Sequence, residues 1–460
     1  MTPVALFCIK QEEDEKMIKD LTEGNPSKVL INFSLPMFVS VVFQQLYNIA
    51  DSIIAGRFAG ENALAAVGAS YPVTMVFMAI AVGSNIGCSV VISQLFGSKA
   101  YDKVKTAIST TVIASTVLAV FLTVLGLISS KYIMLAINTP DNILADSKLY
   151  FDIYIGGFIF LFLYNIANGV FNSLGDSKTP LYFLIASSLG NIALDIIFVA
   201  VFNWGVAGVA WATFIAQGIA CILALISLLV RIRNIKTEKK PVYFSIQMLS
   251  KITYIAVPSI LQQSFISVGN IFIQGCVNSF GSSVIAGYSA CVKLNTFATM
   301  CFTTLGNAMS TFTAQNIGAA KIDRVNKGLK SGLMFGLAID VIFIIAFVGF
   351  SRQMLGLFMT ADSVEAIDCG ILFLRIVSPF YVAISVKIIV DGVLRGAGAM
   401  LAFTTSTFLD LIMRVVLAFV FSSVLDSAVG IWLSWPFGWT IATGITLFFY
   451  FRGSWKRGIV

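Results

Sequence analysis

The sequence predicts an all-α integral membrane protein with twelve transmembrane helices in two pseudo-symmetric six-helix lobes. Of its 460 residues, 58% are hydrophobic and 12% are charged, and the mean hydropathy is +0.90. Soluble chains carry about 25% charged residues, so a soluble protein of this composition would lack the polar groups to cover its surface. A series of apolar runs and an internal repeat are the other two observations behind the prediction.

The apolar runs are long enough to cross a bilayer, which takes about 20 residues of helix. They lie approximately at residues 29–56, 63–96, 104–129, 146–174, 180–203, 206–231, 250–279, 283–315, 325–350, 366–395, 400–424 and 427–452. Several of them exceed the thickness of the hydrocarbon core, so we expect tilted helices or helical extensions into solvent.

The distribution of basic residues predicts the orientation of the chain. About fifteen lysines and arginines fall in one set of alternate loops, and about four fall in the other set. Because cytoplasmic loops carry the excess of basic residues, the first set is expected to face the cytoplasm of a bacterial-type plasma (inner) membrane, with both termini inside. The same pattern accounts for the net charge of +7 without a nucleic-acid partner.

These spans predict five segments. They are a cytoplasmic N-terminal segment (1–28), an N-terminal lobe (29–231), a cytoplasmic linker (232–249), a C-terminal lobe (250–452) and a cytoplasmic tail (453–460). Residues from Met17 onward, MIKDLTEGNPSKVL, make a more ordinary start for such a protein, which indicates that residues 1–16 are an upstream extension. We expect a monomer in contact with membrane lipids.

The two halves of the chain repeat each other with an offset near 222 residues. Pro36 in span one corresponds to Pro258 in span seven, and Asn168-Gly169 at the end of span four corresponds to Asp391-Gly392 at the end of span ten. Six spans in each half bring both halves into the membrane from the same side, so the repeat is parallel. Transporters of this two-lobed design place a substrate site between the lobes and alternate its access.

The motifs of ATP-driven pumps and of common hydrolases do not occur in the sequence. There is no GxxxxGK[ST], HExxH or GxSxG pattern. The chain also has no histidine, so any proton chemistry must use carboxylates. The sequence therefore predicts a transporter that needs no cofactor and is not an enzyme.

Four polar residues within the apolar runs form the candidate coupling site. Asp51, Asn191, Asp195 and Thr213 lie on three different spans. Asp51, Asp195 and Thr213 lie at depths of roughly 8–12 Å below the outer surface, and Asn191 shares one helix face with Asp195. Ionisable residues within spans are costly, and they indicate function by default. Two carboxylates in such a site repel each other, and either a proton or a Na⁺ ion would relieve the repulsion. The alternatives are a snorkelling Asp51 at the end of its helix and a purely structural hydrogen bond for Asp195.

Other intramembrane groups have simpler explanations. Asp410 and Arg414, and likewise Lys387 and Asp391, are four residues apart on one helix, which favours structural ion pairs. The GxxxG pattern that begins at Gly83 favours close helix packing over a ligand site.

Several stretches resemble the multidrug and toxic compound extrusion (MATE) transporters. They are LPMFVSVVFQQLYNIADSIIAGRFAGENALAAVG, GVFNSLGDSKTP, NWGVAGVAWAT and VLRGAG, and the resemblance covers residues from about 22 to 452. It implies a proton- or sodium-coupled drug antiporter with two six-helix lobes. The chain looks most similar to the branch that includes DNA-damage-inducible protein F, which concentrates its cation site in the N-terminal lobe.

The resemblance also implies roles for individual residues. The branch's cation motif corresponds to Asp51, Asn191, Asp195 and Thr213, which would also be the ligands of a Na⁺ ion. Further polar positions of that lobe correspond to Gln44, Tyr47, Asn165 and Asn168. In span seven, Gln262 and Gln263 stand where other branches carry an acidic residue, and Asp391 is a possible substitute for it.

The sequence therefore favours a secondary active multidrug efflux antiporter that exports small organic compounds, often cationic and amphipathic, in exchange for H⁺ or Na⁺. The first alternative is a lipid-linked saccharide flippase of the same superfamily. Such a protein would need basic residues in its cavity, and few occur within the spans. The second alternative is a membrane-embedded lipid-modifying enzyme, which the repeat and the absence of catalytic motifs disfavour.

Overall fold

The structure is a computed structural model that describes residues 19–54, 58, 61–137, 139–237, 239–359 and 363–457, with the backbone alone at 52, 61–64 and 457. The suggested start at Met17 and most of the predicted N-terminal segment lie outside the described residues, as does Arg57, one of the about four basic residues counted in the second set of loops.

The described chain contains twelve helical spans, as the sequence predicted. Their bounds are Pro26–Ile54, Glu61–Gly97, Tyr101–Ala136, Asp141–Gly156 with Phe158–Ser173, Lys178–Asp195 with the π-helix Ile196–Val201, Gly205–Asn234, Ile246–Asn278, Ser282–Gly318, Ile322–Ile344 with the π-helix Ile345–Gly349, Val364–Val377 with Ser378–Phe380 and Tyr381–Gly396, Met400–Leu425, and Val429–Arg452. Short helices at Ser351–Leu355 and Ser454–Arg457 follow spans nine and twelve.

Length and composition identify most of these helices as membrane spans. Within the described ranges, nine helical stretches are individually long and apolar enough to cross a bilayer. The two helices of span four, which meet at an angle of 46°, make a tenth candidate together. The break falls at Gly157, where a Cβ atom would lie 2.8 Å from the ring of Phe214, so only glycine allows this ring to pack so closely. Spans eight and twelve, at 37 and 24 residues, are also long enough to cross a bilayer.

Contacts divide the chain into two units that exchange helix ends. One unit contains residues 35–260, and the other contains residues 21–34 together with 261–459. The first turns of span one therefore pack with the second half of the chain, and the first half of span seven packs with the first half of the chain. Neither the apolar runs nor the repeat indicated this exchange, and the lobe boundaries drawn from the repeat stay a prediction.

Small residues allow span seven to pack closely within the first unit. A Cβ atom on Gly83 would lie 2.4 Å from Ile260 Cγ1, and one on Gly87 would lie 2.6 Å from Ala256 Cβ. The GxxxG pattern is therefore a packing motif, as the sequence predicted.

A segment that precedes span one is bound tightly within the second unit. The Arg324 guanidinium donates hydrogen bonds to the carbonyl oxygens of Leu21, Glu23 and Gly24 at 3.2, 3.1 and 2.7 Å. Lys321 Nζ donates to the Thr22 carbonyl at 2.9 Å. These bonds satisfy backbone groups that have no helical partner, and they fix the approach to span one.

Of the two predicted ion pairs, one is confirmed and the other is wrong. Lys387 Nζ lies 3.0 Å from Asp391 Oδ2. Asp410 and Arg414 do not form the expected pair, because each has a partner on a neighbouring helix. Asp410 Oδ2 lies 3.9 Å from Lys387 Nζ, and the Arg414 guanidinium lies over the ring of Trp435 at 4.7 Å. Helical spacing placed the two charges on one face, and the packing of other helices decided their partners.

Candidate cation-coupling site

Four spans of the first unit bring six polar side chains together. Span one contributes Tyr47 and Asp51, span four Tyr150, span five Asn191 and Asp195, and span six Thr213. We call this group the carboxylate cluster.

Helical periodicity positions most members of the cluster. Tyr47 and Asp51 are four residues apart, as are Asn191 and Asp195, so each pair occupies one helix face. The α-helical part of span five ends at Asp195, and a π-helix begins at the next residue. Short π-helical turns within helices occur frequently at functional sites. Local structure therefore changes at the position of the second carboxylate.

The two carboxyl groups lie within interaction distance of each other. The side chains of Asp51 and Asp195 are in hydrogen-bonding reach, and both act electrostatically on the Tyr47 and Tyr150 hydroxyls. Asn191 Nδ2 donates to Thr213 Oγ1 at 3.5 Å, the upper limit for such a bond. The two carboxylates are thus the centre of the cluster, and neutral hydroxyl and amide groups surround them.

Four oxygen atoms of the cluster are buried without a hydrogen-bond donor among the described residues. They are Asp51 Oδ1, Asn191 Oδ1 and both carboxylate oxygens of Asp195. Asp195 is 1% exposed and Asn191 is 2% exposed. A buried acceptor without a donor costs about 1–3 kcal/mol, and a charged acceptor costs more. Binding of a cation or a proton would therefore stabilise the cluster.

The chemistry of these oxygens suits a monovalent cation. A proton on either carboxyl would turn it into a donor toward the other carboxylate and remove their repulsion. A Na⁺ ion could instead be held by carboxylate oxygens together with the Asn191 and Thr213 oxygens, which are hard ligands of the kind that hard cations prefer. Either ligand would neutralise one of the two charges that face each other.

The structure brings together the four residues that the sequence selected for coupling. Asp51, Asn191, Asp195 and Thr213 all belong to the cluster, and Tyr47 joins them from the set of further polar positions. Their role in coupling stays a prediction.

The remaining predicted positions lie elsewhere. Gln44 is exposed on span one, and Asn165 donates to the Leu161 carbonyl of its own helix at 2.9 Å. Asn168 is half-buried beside Tyr164.

The three predicted positions of the second half have surroundings unlike the carboxylate cluster. Gln262 and Gln263 are half-buried on span seven. Asp391 is buried and paired with Lys387, so it is not an open carboxylate that awaits an external cation.

The sequence interpretation missed Tyr150. This residue is nine positions after the start of span four at Asp141, which corresponds to a depth of about 13 Å along the helix. Asp195 is six residues before the end of its π-helix at Val201, a depth of about 9 Å, so the two residues differ in depth by about one helical turn or less. A comparison of depths over all polar residues, including tyrosines, would have found it.

Twelve spans, a parallel repeat and a buried carboxylate pair define a multi-pass membrane protein of the two-lobed transporter class. The MatE family profile matches residues 36–197 and 258–420, and the two matches begin 222 residues apart. The chain belongs to the MatE family. It is therefore a transporter and not an enzyme, and the internal repeat is the family's own unit present twice.

Curated relatives agree with this assignment. The chain is 28% identical to the probable multidrug resistance protein YpnP of Bacillus subtilis, over 95% of this chain and 97% of the relative. It is 28% identical to the probable multidrug resistance protein YoeA of the same organism, over 92% and 93%. It is also 25% identical to a protein of Shewanella oneidensis named as an FAD transporter, over 73% and 75%.

Solved structures share the fold. A multidrug resistance MATE family transporter of the MOP superfamily in an outward-facing conformation superposes with a TM-score of 0.89 at 22% identity, covering 96% of this chain and 98% of that one. A MOP superfamily transporter from Pyrococcus furiosus, described as having a binding pocket of reverse polarity, gives a TM-score of 0.87 at 22% identity, covering 96% and 98%.

Proposed function

We propose that this protein is a secondary active antiporter that exports small organic compounds in exchange for H⁺ or Na⁺. The observation that carries the proposal is the set of four donor-less oxygens around Asp51 and Asp195. A site with this deficit binds a proton or a small cation strongly, and family membership gives that binding a use. We further propose that the chain belongs to the DNA-damage-inducible protein F branch, whose cation motif would correspond to these same residues.

The coupling follows from the charge of the site. With both carboxylates ionised, the site attracts a cation, and the orientation that we propose from the basic loops would bring that cation from the outer side. The bound cation removes the repulsion between Asp51 and Asp195 and so stabilises a different arrangement of their helices. A transporter is driven by such binding only when the cation prefers one of its two states. We propose that the cation-bound state is the one that releases the exported compound.

We also propose a membrane location, a substrate class and an oligomeric state for the protein. The basic loops favour a bacterial plasma membrane with both termini in the cytoplasm. YpnP and YoeA are named as probable multidrug resistance proteins, which favours organic drugs as substrates, and the similarity to an FAD transporter makes FAD a further candidate. We propose that the protein acts as a monomer surrounded by lipid.

Transport by purified protein in proteoliposomes tests the proposal. A fluorescent organic cation, a neutral dye and FAD would each be offered under a proton gradient alone and under a sodium gradient alone. We expect one of the gradients to drive substrate uptake. Asp195→Asn should abolish the gradient-driven part, and Asp368→Asn, which alters an exposed carboxylate paired with Arg352, should leave it intact. Gradient-driven transport that is unchanged in Asp195→Asn would contradict the proposal.

A further inference from the structure

Span eleven carries a buried arginine whose charge is not neutralised by any carboxylate of the described residues. Arg414 is 7% exposed, and its Nε atom is buried without a hydrogen-bond acceptor. Its guanidinium lies over the ring of Trp435 at 4.7 Å, and a ring face attracts a cation but offers no oxygen to its N–H groups. A charge within a membrane span is costly, and it indicates a functional site by default.

The other buried arginines of the described chain have oxygen acceptors. Arg231 pairs with Asp176, and Arg395 donates to Asn307 Oδ1 at 2.6 Å. Both of them also lie over a phenylalanine ring, at 5.1 and 5.6 Å. A ring contact therefore accompanies the hydrogen bonds of these structural arginines and does not replace them, which sets Arg414 apart.

A second donor without an acceptor lies beside the guanidinium. Trp435 is 5% exposed, and its Nε1 atom is buried without a partner among the described residues. Trp455, in contrast, donates from Nε1 to the Tyr450 carbonyl at 2.9 Å. Because the guanidinium lies over the Trp435 indole, one acceptor at the edge of this stack could receive hydrogen bonds from both side chains. Such an acceptor would relieve the cost of two buried donors at once.

Asp410 lies on the same helix face, but on the other side of Arg414. A Cβ atom on Gly438 would lie 3.3 Å from Arg414 Cβ, so these two residues are at one level of the antiparallel spans eleven and twelve. Trp435 lies about one turn before Gly438, and Asp410 lies about one turn before Arg414. The guanidinium therefore extends away from Asp410, toward the end where the two spans are joined. Asp410 Oδ2 instead lies 3.9 Å from Lys387 Nζ, and its Oδ1 atom is without a donor.

Aromatic rings pack around the two unsatisfied donors. Phe373 contacts the rings of Trp432 and Trp435 at 5.1 and 6.0 Å, and Tyr288 stacks on Trp432 at 5.3 Å. Arg414 acts electrostatically on the Tyr288 hydroxyl, so this group is also near the guanidinium. Ligand sites have this composition, with mostly apolar walls and a few polar groups that fix orientation.

We propose that Arg414 and Trp435 form an anion-binding site, which takes a carboxylate or phosphate group of an exported organic compound. The arginine presents N–H donors in pairs that match two oxygens of such a group, and the indole adds one more donor. The site extends the substrate class to zwitterionic and anionic amphiphiles. Its use in export rests on the proposed antiport function, whereas anion binding itself does not.

A matched pair of probes tests the site on the purified full chain in detergent. Dansyl-glycine carries a carboxylate, and its methyl ester carries the same ring system without the charge. Energy transfer from tryptophan to the dansyl group reports the binding of each probe. We expect the wild type to bind dansyl-glycine about 10- to 100-fold more tightly than the ester, the factor that hydrogen bonds to a charged group supply. Chloride and inorganic phosphate share the charge, and they should displace dansyl-glycine only at concentrations far above its Kd.

Variants that keep or remove single donors separate binding from a structural role. Arg414→Gln should bind both probes equally, and Arg414→Lys, which keeps the charge without the paired donors, should retain part of the preference. Trp435→Phe keeps a ring for the guanidinium and removes the N–H, so it should weaken dansyl-glycine binding alone, by about three- to tenfold. Arg352→Gln alters an exposed arginine paired with Asp368 and should leave both affinities unchanged.

Three results would overturn the inference. The first is equal affinity of the wild type for both probes, which needs no variant and so holds even where Arg414→Gln fails to fold. The second is a full preference for dansyl-glycine in folded Arg414→Gln. The third is displacement by chloride or inorganic phosphate at the concentration of dansyl-glycine itself, which would assign the site to inorganic anions. Loss of coupling in Asp195→Asn together with any of these results would leave the proposed function standing and remove this site alone.

Discussion

Asp195→Asn should make the protein more stable in the absence of the coupling ion, while it destroys coupling. The amide has the shape of the carboxylate, so packing is preserved. Its charge is gone, and its Nδ2 group can donate to the carboxylate of Asp51. In the wild type, both Asp51 and Asp195 have buried oxygens without a hydrogen-bond donor. In the variant, the new amide group supplies one donor to this pair of side chains.

The size of the effect follows from those oxygens. The substitution removes one donor-less atom of Asp195 and supplies a donor to one of Asp51, and each such atom costs about 1–3 kcal/mol. We expect a gain of about 2 kcal/mol or more. For domains of 150–250 residues 1 kcal/mol moves Tm by about 2–4 °C, so a rise of a few degrees is expected for this larger chain.

Thermal unfolding in detergent, followed by tryptophan fluorescence, measures the effect. In alkaline buffer without sodium, the variant should unfold at a higher temperature than the wild type. A ligand at 100 times its Kd stabilises the folded state by about 2.7 kcal/mol, so the wild type should recover the difference when its ion is added. If the ion is a proton, bound only in the folded state, Tm of the wild type rises as pH falls. If it is Na⁺, Tm rises with sodium at constant pH.

The matched control is a substitution of an exposed carboxylate, Asp368→Asn. Asp368→Asn removes a carboxylate that is 57% exposed and pairs with Arg352 at 2.8 Å, and such pairs contribute about 0–1 kcal/mol. It should follow the wild type in every buffer. The opposite result would be an Asp195→Asn variant that unfolds at a lower temperature than the wild type in ion-free buffer and gains as much as the wild type from protons or sodium.

Two further predictions concern packing and the segment before span one. Gly392→Ala should lower the free energy of unfolding by about 1–3 kcal/mol, because the added Cβ would lie 2.3 Å from the Gly306 carbonyl oxygen. Gly190→Ala is the control for the same melting assay and should have little effect, because no atom lies within 4 Å of its added Cβ. Arg324→Ala removes hydrogen bonds to three backbone carbonyls and should loosen the segment at residues 21–24. Limited proteolysis should then cleave this segment faster than in the wild type. An unchanged cleavage rate would show that these bonds do not hold the segment.

The main features of the fold could be read from the sequence because the bilayer imposes them locally. A helix must satisfy its own backbone hydrogen bonds in lipid, so long apolar runs become helices whatever surrounds them. The count of twelve spans and the repeat therefore needed no knowledge of packing. The selection of Asp51, Asn191, Asp195 and Thr213 rested on the cost of polar groups at one depth, which is also a property of single helices.

The contacts between side chains of different helices could not be predicted from the sequence of single helices. Asp410 and Arg414 share a helix face, but Lys387 from span ten and Trp435 from span twelve contact them. Tyr150 joins the carboxylate cluster from span four without any spacing pattern that ties it to Asp51 or Asp195.

The sequence by itself determined a membrane protein of twelve helices in two related halves, with a carboxylate pair in the first half. Only the tertiary structure decided that helix ends of spans one and seven are exchanged between the two packing units, and that Lys387 faces both Asp391 and Asp410. The physical reason is the range of the forces involved. Insertion into lipid depends on the composition of each segment, whereas ion pairing and close packing depend on atoms that distant segments bring within a few ångströms.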